Sequence, residues 1–320
     1  MELPGVQNVG SRVSLRLHEA QGGYRDLLGT LQSLDSVQKR DGSLERFDPS
    51  QIAVWKVVLP KFWPAGTGAP IGYRIAELEA ASEDSWIADE VSDQGSWRYR
   101  ISSGFTFRAN SVRPYGAPGF GEPAGELTTA IADVVRRYSQ HHLIPAFHIS
   151  LPTYRALDEV LAEAGWTVAV DAQVMVADSA PIQASCQVNI GQVQYFDFPA
   201  PDWLAVQGEV RGANIMGRFP AHYVAIKVDD LLVAAGRAAV TNGWTILTRL
   251  FVRPEFRGRG LSKAVIGELL QRSGAAKVML QVDIKNEVAI KLYESIGLRQ
   301  HHNYRYRTLD LLPTEATVSR

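Results

Sequence analysis

The residues best suited to binding an anion lie in one turn that joins a predicted strand to a predicted helix. The turn reads V-R-P-E-F-R-G-R-G-L-S over residues 252–262, with an apolar strand ending at Val252 and an amphipathic helix beginning at Gly260. Glycines let backbone N–H groups approach an anion closely, and the start of a helix carries a partial positive charge. Arg257 and Arg259 can add charge-assisted hydrogen bonds. The pattern therefore predicts a pyrophosphate site; a surface turn without a ligand is the alternative.

This turn resembles the pyrophosphate motif of the GNAT acetyltransferases, Q/R-x-x-G-x-G/A, because the chain reads R-G-R-G-L-S over residues 257–262. Serine replaces the small residue at the last position, and we expect no loss of binding, since serine is small and suits the start of a helix. The resemblance implies that acetyl-CoA binds here as a cosubstrate. It implies that the pantetheine arm lies along the backbone of residues 250–252 and that a backbone N–H there polarises the thioester carbonyl. The cosubstrate-binding residues implied are Leu250, Phe251, Val252, Arg257, Gly258, Arg259, Gly260, Leu261 and Ser262.

A second match lies downstream, where residues 286–298 read N-E-V-A-I-K-L-Y-E-S-I-G-L. In the family, the asparagine of this segment lies beside the CoA arm and the tyrosine hydroxyl lies near the thioester sulfur. The resemblance therefore implies that Asn286 and Ala289 contact the cosubstrate and that Tyr293 is the general acid. A phenol with a pKa of about 10 suits proton donation to a thiolate with a pKa of about 8.5. The alternative for Tyr293 is a helix tyrosine that only packs its ring.

The general base is not evident in the sequence. Many GNAT members carry a carboxylate on the strand before the pyrophosphate turn, and the matching position here, six residues before Val252, is Ile246. Thr245, Thr248 and Arg249 are near, but none of them is a base. A carboxylate or histidine acting through water remains open, with the candidates Asp283, Glu209, His222 and the pair His301-His302. We expect no metal site from these spacings.

Composition favours a soluble, cytoplasmic protein. The chain has 320 residues, of which 46% are hydrophobic and 21% charged. No apolar run reaches the roughly 18 residues that a membrane helix needs, and the N-terminus has no secretory signal pattern. The single cysteine, Cys186, excludes an intramolecular disulfide and zinc sites built from several thiolates.

The charged residues are distributed unevenly along the chain. Residues 1–62 carry 8 Lys and Arg against 7 Asp and Glu, residues 63–180 carry 8 against 15, and residues 181–320 carry 17 against 12. One interpretation is that two domains of opposite sign neutralise each other. The other is that the C-terminal part binds an anion while the acidic part faces a cation or amine.

The elements that position these residues predict an α/β (α+β) fold of three parts. Residues 1–62 read as short strands with tight turns, including Asp41-Gly42, which predicts a small barrel, followed by a linker over residues 61–70. Residues 63–180 and 181–320 each end with strand, loop, helix, short strand, helix, Gly and strand, which favours a tandem duplication. The layout, with R-A-N-S-V at residues 108–112, resembles an actinobacterial GNAT subgroup. That subgroup has an N-terminal SH3-like β-barrel and two GNAT-like mixed-sheet halves, the C-terminal one catalytic.

The middle half lacks the features of a phosphate site. Its equivalent loop reads P-Y-G-A-P-G-F-G-E-P over residues 114–123, without arginine and with Glu122, which would repel a phosphate. We interpret it as a degenerate half that shapes the substrate groove, lined by Arg108 and Asn110 from a predicted strand over residues 105–112. Both residues can equally be structural hydrogen-bonding groups. A helix predicted over residues 75–86 places Glu77, Glu79, Glu83 and Asp84 on its solvent side.

Together these features favour an acetyl-CoA-dependent N-acetyltransferase that moves an acetyl group to a primary amine by direct attack. The alternative is a non-catalytic acyl-CoA-binding or sensing module. Cys186 matches no nucleophile pattern, so a covalent acyl-enzyme is not expected. We expect a small-molecule or peptide amine as the substrate, no membrane partner and no nucleic-acid partner. Assembly into an oligomer through the barrel is open.

Overall fold

The chain forms two compact units, Met1–Trp63 and Pro64–Arg320. The computed structural model describes residues 3–20, 22–39, 43–58, 68–188, 191–208 and 211–310. The predicted turn at Asp41-Gly42 and residues 61–67 of the predicted linker lie outside the described residues. The division into three domains stays a prediction.

The first unit is an antiparallel sheet of five strands in the order β4-β3-β2-β1-β5. Alternate residues of the first strand, Val13, Leu15 and Leu17, are fully buried, in agreement with the short strands predicted for residues 1–62. The described part of this unit contains no closed barrel, so the barrel expectation is not met there. The strands are β1 (Arg12–His18), β2 (Tyr24–Ser33), β3 (Ser36–Gln38), β4 (Leu44–Arg46) and β5 (Ile52–Val57).

The second unit is a mixed α/β fold. Its helices are α1 (Ile71–Asp84), α2 (Leu127–Gln140), α3 (Arg155–Glu163), α4 (Ser179–Ser185), α5 (Pro201–Val206), α6 (Ala213–Gly217), α7 (Leu261–Ser273) and α8 (Glu287–Ser295). Its strands are β6 (Glu90–Gln94), β7 (Trp97–Ile101), β8 (Ser111–Pro114), β9 (Ala146–Leu151), β10 (Thr167–Asp178), β11 (Gln192–Phe196), β12 (Ala221–Val228), β13 (Leu231–Thr241), β14 (Trp244–Val252), β15 (Lys277–Asp283) and β16 (Arg299–Thr308). None of the helices in the described parts is long and apolar enough to cross a membrane.

All strands of this unit belong to one sheet, in the order β11-β12-β13-β14-β15-β10-β16-β9-β8-β7-β6. Strand β10 follows α3 in the chain, yet it lies between β15 and β16, and β16 lies between β10 and β9. Thus β10, the last strand of the middle half, pairs with β15 of the C-terminal half. In the same way β16, the last strand of the C-terminal half, pairs with β9 of the middle half. The two halves therefore share one continuous sheet.

Helices α1 and α7 cover opposite faces of this sheet. Ile246 of β14 packs in the same core as Leu78 and Ala81 of α1. Its neighbour Leu247 packs in another core with residues of α7, among them Val265. Since successive residues of a strand point to opposite faces, the two helices lie on opposite sides of β14.

The prediction that four acidic residues of α1 face the solvent is wrong for three of them. Glu77 and Glu79 are 6% and 2% exposed, and Glu83 is half-buried; only Asp84 is exposed. The periodicity of α1 was a poor guide because its carboxylates face partners distant in the sequence. Glu77 accepts a hydrogen bond from the Trp244 indole at 2.8 Å, and Glu83 lies among the arginines of β7 and β8. The predicted strand over residues 105–112 is also only partly formed, because a 3-10 turn occupies Phe107–Ala109 before β8.

Candidate functional site

Strands β14 and β15 separate part of the way along their length. They pair in parallel over four positions, from Trp244 opposite Lys277 to Leu247 opposite Leu280. Beyond these positions, β14 continues to Val252 and β15 to Asp283 with no further pairing between their described residues. Their unpaired ends leave an opening in the sheet whose backbone groups are available to a ligand.

A β-bulge in β14 lies at the beginning of this opening. Arg237 of β13 faces Thr248 and Ala235 faces Phe251, so β14 contains one extra residue. Arg249 adopts a left-handed backbone conformation with φ of 56°, which is strained for a residue other than glycine. The bulge redirects the backbone of residues 249–251 at the place where the strands part.

One side chain holds this bulge from outside the strand. The Gln207 amide donates to the Arg249 carbonyl oxygen at 3.2 Å, and its oxygen accepts from Arg249 Nε at 2.6 Å. The Arg249 guanidinium also lies over the ring of Phe105, with its carbon 5.5 Å from the ring centre. Phe105 belongs to the middle half, so both halves support the backbone at the bulge.

The predicted pyrophosphate turn follows directly after β14. A 3-10 turn over Pro254–Phe256 leads to Gly258 and Gly260, whose φ angles are 75° and 80°. Nothing lies within 4 Å of the place where a Cβ on Gly258 would be. Helix α7 begins at Leu261 without a side-chain cap at Gly260, so the N–H groups of its first turn are left for a ligand or water.

The two arginines of the turn differ in what they contact. Arg257 Nε donates to the Val252 carbonyl at 3.2 Å, which ties the turn to the end of β14. Arg259 donates to the Glu255 carbonyl at 3.4 Å and stacks on Phe256 at 5.1 Å. Both are exposed, and both can turn toward an anion at the start of α7.

Helix α8 positions the downstream motif. The Asn286 side chain accepts from the Ala289 N–H at 3.2 Å and so caps the helix. Tyr293 is 9% exposed and packs in the same core as Val252 and Leu261. Its hydroxyl has no hydrogen-bond partner among the described residues, and burial raises the pKa of Tyr293 to about 12. The phenol is therefore neutral near pH 7 and retains a free donor.

On the opposite face, the last turn of α1 spans the opening. Gln281, the residue after the last paired position of β15, donates to the Ser82 hydroxyl at 3.2 Å. The Ser85 carbonyl accepts from Arg237 at 3.1 Å, and the same guanidinium reaches the Thr248 hydroxyl at 3.5 Å. Thr248 directly follows the last paired position of β14.

The middle half supplies one further side chain to this place. Arg108 donates to the Ser82 hydroxyl. We refer to Ser82, Arg108, Thr248 and Gln281 as the α1 mouth. Asn110, predicted with Arg108 to line a groove, instead holds its own loop: its oxygen accepts from the N–H of Ser102 at 2.8 Å and its amide donates to Thr106.

The candidates for the general base are scattered. Ile246 is 1% exposed, so its position offers no base. Asp283 is exposed and accepts from the Lys285 N–H at 2.8 Å. His222 lies half-buried on β12, and Glu209 lies outside the described residues. None of the described candidates has a contact that joins it to the bulge.

The structure adds a buried acid that sequence reasoning placed in solvent. Glu79 is bonded to His302 Nε2 at 2.9 Å through one oxygen and lies 3.3 Å from His148 Nε2 through the other. Burial lowers the pKa of His148 to about 3, so this imidazole is neutral near pH 7. The half-buried His301 contacts His302, and burial lowers its pKa to about 4. No signal in the sequence indicated this cluster, because its members come from α1, β9 and β16. The described residues contain no group of histidine, cysteine and carboxylate side chains that could hold a metal ion.

Comparison with known proteins identifies related chains. Residues 73–307 match the family model described as "Probable histone acetyltransferase Rv0428c C-terminal". The chain is 27% identical over 248 residues to "Uncharacterized N-acetyltransferase YobR" of Bacillus subtilis (strain 168). The matched region covers 73% of this chain and 98% of that protein.

Two solved structures share the fold of much of this chain. The GCN5-related N-acetyltransferase from Kribbella flavida matches with a TM-score of 0.59 at 14% identity, over 73% of this chain and 95% of that one. A conserved protein of unknown function from Staphylococcus epidermidis ATCC 12228 matches with a TM-score of 0.56 at 12% identity, over 70% and 95%. At these identities the likeness is one of fold.

Proposed function

The chain belongs to the acetyltransferase family that its residues 73–307 match, and from this premise we propose that it moves an acetyl group from acetyl-CoA to a primary amine. It is a GNAT-type N-acetyltransferase, a class that uses acyl-CoA as the acyl donor. Our proposal comprises three further points: that the transferred group is acetyl, that the acceptor is a primary amine, and which residues form the site.

The observation that carries the proposal is the opening between β14 and β15 beside the glycine–arginine turn. The turn presents free N–H groups at the start of α7, where the pyrophosphate would bind with Gly258, Gly260, Leu261 and Ser262. Arg257 and Arg259 would add positive charge. The arm of the cosubstrate would then follow the unpaired backbone of residues 250–252, next to Asn286 and Ala289.

The chemistry proposed is direct attack. The neutral amine adds to the thioester carbonyl carbon, a backbone N–H at the bulge stabilises the oxyanion, and the C–S bond then breaks. Cys186 is 1% exposed and burial raises the pKa of its thiol, which supports a route without an acyl-cysteine.

Tyr293 would donate a hydrogen bond to the departing sulfur. Its raised pKa keeps the phenol protonated at all physiological pH values. Full transfer from a phenol of this pKa to an ordinary thiolate, with a pKa of about 8.5, is uphill. The hydroxyl therefore acts by a hydrogen bond that strengthens as charge develops on the sulfur, and the proton lost by the amine finally neutralises the thiolate.

One observation favours the alternative of a non-catalytic acyl-CoA-binding or sensing module. The strand position that carries a carboxylate in many GNAT members holds the buried Ile246, and none of the described acids or histidines contacts the bulge. Such a module would bind acetyl-CoA at the same turn but would release no thiol when amines are added.

We further propose that the first unit is an SH3-like module with a role in assembly and that the protein works in the cytoplasm. A core formed by Val13, Leu15, Leu17, Leu27 and Leu31 lies within this unit and supports an independently folded module.

The experiment that tests the site compares two glycine substitutions in the full chain. Gly258→Val should abolish acetyl-CoA binding in calorimetry, because a side chain at the turn occupies space needed by the phosphates. Gly274→Val is the matched control, since Gly274 ends α7 with a φ of 64° and equally open surroundings. Both variants carry backbone strain, and only the first should lose binding. Unchanged affinity for acetyl-CoA in Gly258→Val would show that the turn is not the binding site.

A second experiment measures thiol release from acetyl-CoA with a panel of amines. Release that depends on the amine supports the transferase, and its absence with every amine supports the sensing module.

A further inference from the structure

Two arginines have no ion pair with a carboxylate within the described residues: Arg108 of the α1 mouth and Arg237, which donates to Thr248 of the mouth. Arg237 is 0% exposed and lies between the rings of Trp86 and Tyr223, with its guanidinium carbon 5.4 and 5.8 Å from the ring centres. Its N–H groups donate only to neutral oxygens, those of Ser85, Tyr223 and Thr248. Burial lowers its pKa, and no described carboxylate lies close enough to offset this.

Arg108 lies one turn away and also lacks an ion pair within the described residues. It donates to Ser82, three residues before Ser85 on the same face of α1. Unlike that of Arg237, its pKa is raised, by Tyr306, Tyr304, Glu79 and Glu83 in spite of burial, although no described carboxylate lies within ion-pair distance of it. The neighbouring arginines of the middle half differ, because Arg98 and Arg100 lie 3.3 and 3.6 Å from the oxygens of Glu83. Among these arginines, Arg108 and Arg237 are therefore the two without an ion pair within the described residues.

A buried charge is costly unless it is paired, so unpaired guanidinium groups at a ligand site indicate a ligand that brings the opposite charge. The phosphates of the cosubstrate do not supply it, because the pyrophosphate turn lies at the start of α7 on the other face of the sheet. The remaining molecule at the α1 mouth is the acceptor.

We propose that the acceptor carries a carboxylate or a similarly small anion close to its amine, as an amino acid does, and that Arg108 binds this anion. Arg108 is half-buried and can contact a ligand, whereas Arg237 is fully buried and attracts the anion only through its positive potential. This inference rests on the proposed function and deepens it. It also disfavours a lysine-rich peptide as the acceptor, because further cations would be repelled at this place.

The test uses the full chain and pairs of amines that differ only in the acid group: L-amino acids, their carboxamides and a basic lysine-containing peptide. Rates of thiol release from acetyl-CoA are compared at equal concentrations of free amine, because the carboxamide lowers the pKa of the amine. We expect kcat/KM to favour the acids about 10- to 100-fold, the range of a charge-assisted hydrogen bond. In Arg108→Gln this preference should fall to near unity, whereas Arg108→Lys should keep part of it.

Arg136→Gln is the control, because Arg136 pairs with Asp133 on the exposed surface of α2 and lies outside the site. It should keep the preference of the wild type. Equal rates for the acids and carboxamides in the wild type, or an unchanged preference in Arg108→Gln, would overturn the inference.

A binding measurement separates this inference from the proposed function. Calorimetry on protein saturated with CoA should show tighter binding of the acids than of the carboxamides, and Arg108→Gln should bind both equally. Selective binding without thiol release would contradict the transferase function and support the anion site. Thiol release without selective binding would contradict the anion site alone.

Discussion

At the scale of single residues, Tyr293 is the side chain whose role depends most on its surroundings. It lies in the core that also holds Val252 and Leu261, and its hydroxyl keeps a donor that no described residue uses. A tyrosine present only for packing would not need that hydroxyl. Its ring and its hydroxyl can therefore be tested separately.

Tyr293→Phe should leave the fold and the affinity for acetyl-CoA nearly unchanged, because the ring and its packing are kept. The rate of thiol release should fall about 10²- to 10³-fold, the cost of losing one hydrogen-bond donor to a charge that develops in the transition state. The measurement is a single turnover with a saturating amine, since slow product release would mask the loss in the steady state. A wild-type rate in the Phe variant would show that the Tyr293 hydroxyl does not stabilise the departing sulfur.

The sequence predicted some residues and missed others for one physical reason. The glycines of the turn and the cap Asn286 act through local backbone geometry, which a short motif records. Glu79 and Ser82 depend on partners more than 190 positions away along the chain, such as His302 and Gln281. Residue types along α1 therefore indicated a helix but not which side of it is covered.

At the scale of elements, the bulge of β14 is the feature that defines the site. The predicted strand, turn and helix over residues 245–272 are confirmed by β14 and α7, because each has its own periodicity and its own glycine boundary. The bulge and the separation from β15 were beyond prediction. They depend on β13, β15 and the loop that carries Gln207, which are distant in the sequence.

Gln207→Ala should lower kcat while the affinity for acetyl-CoA changes little. The amide of Gln207 fixes both the carbonyl and the side chain of Arg249, and the next backbone N–H is the proposed oxyanion donor. Loss of a complete oxyanion donor costs about 10²- to 10³-fold, so a displaced one should cost about 10-fold or more.

The matched control for this substitution is Gln300→Ala on β16, whose side chain is exposed. The comparison is made on kcat and on the calorimetric dissociation constant of each variant. An equal kcat in Gln207→Ala and the wild type would mean that the bulge holds its conformation without this amide.

At the scale of the whole molecule, the exchange of β10 and β16 brings some of the unevenly distributed charges of the two halves together. Arg305 of β16 lies 3.0 Å from both Asp158 and Asp171, and Arg307 lies 2.5 Å from Asp158. Basic residues of the C-terminal half therefore neutralise acidic residues of the middle half across the shared sheet. For these residues, the pairing favours the first interpretation of the charge distribution, in which oppositely charged parts of the chain neutralise each other. It disfavours the second, in which the acidic part binds a cation or amine.

The two halves also differ in what their equivalent turns can bind. In the middle half the Gly119 N–H donates to the Thr153 carbonyl at 2.8 Å, and the Gly121 N–H donates to the Ala117 carbonyl at 3.1 Å. The N-cap of α2 is Glu126, whose carboxylate would repel a phosphate. The N–H groups of Gly119 and Gly121 are therefore already occupied by bonds within the fold.

We accordingly expect one acetyl-CoA per chain, bound in the C-terminal half. Calorimetric titration of the full chain should give a stoichiometry of one, and Gly258→Val should reduce it to zero, because the middle turn has no arginine and places Glu126 at the start of α2. A stoichiometry of two would show that the middle half binds the cosubstrate in spite of Glu126. One remaining site in Gly258→Val would place the cosubstrate in the middle half and leave the turn at residues 257–262 without a ligand.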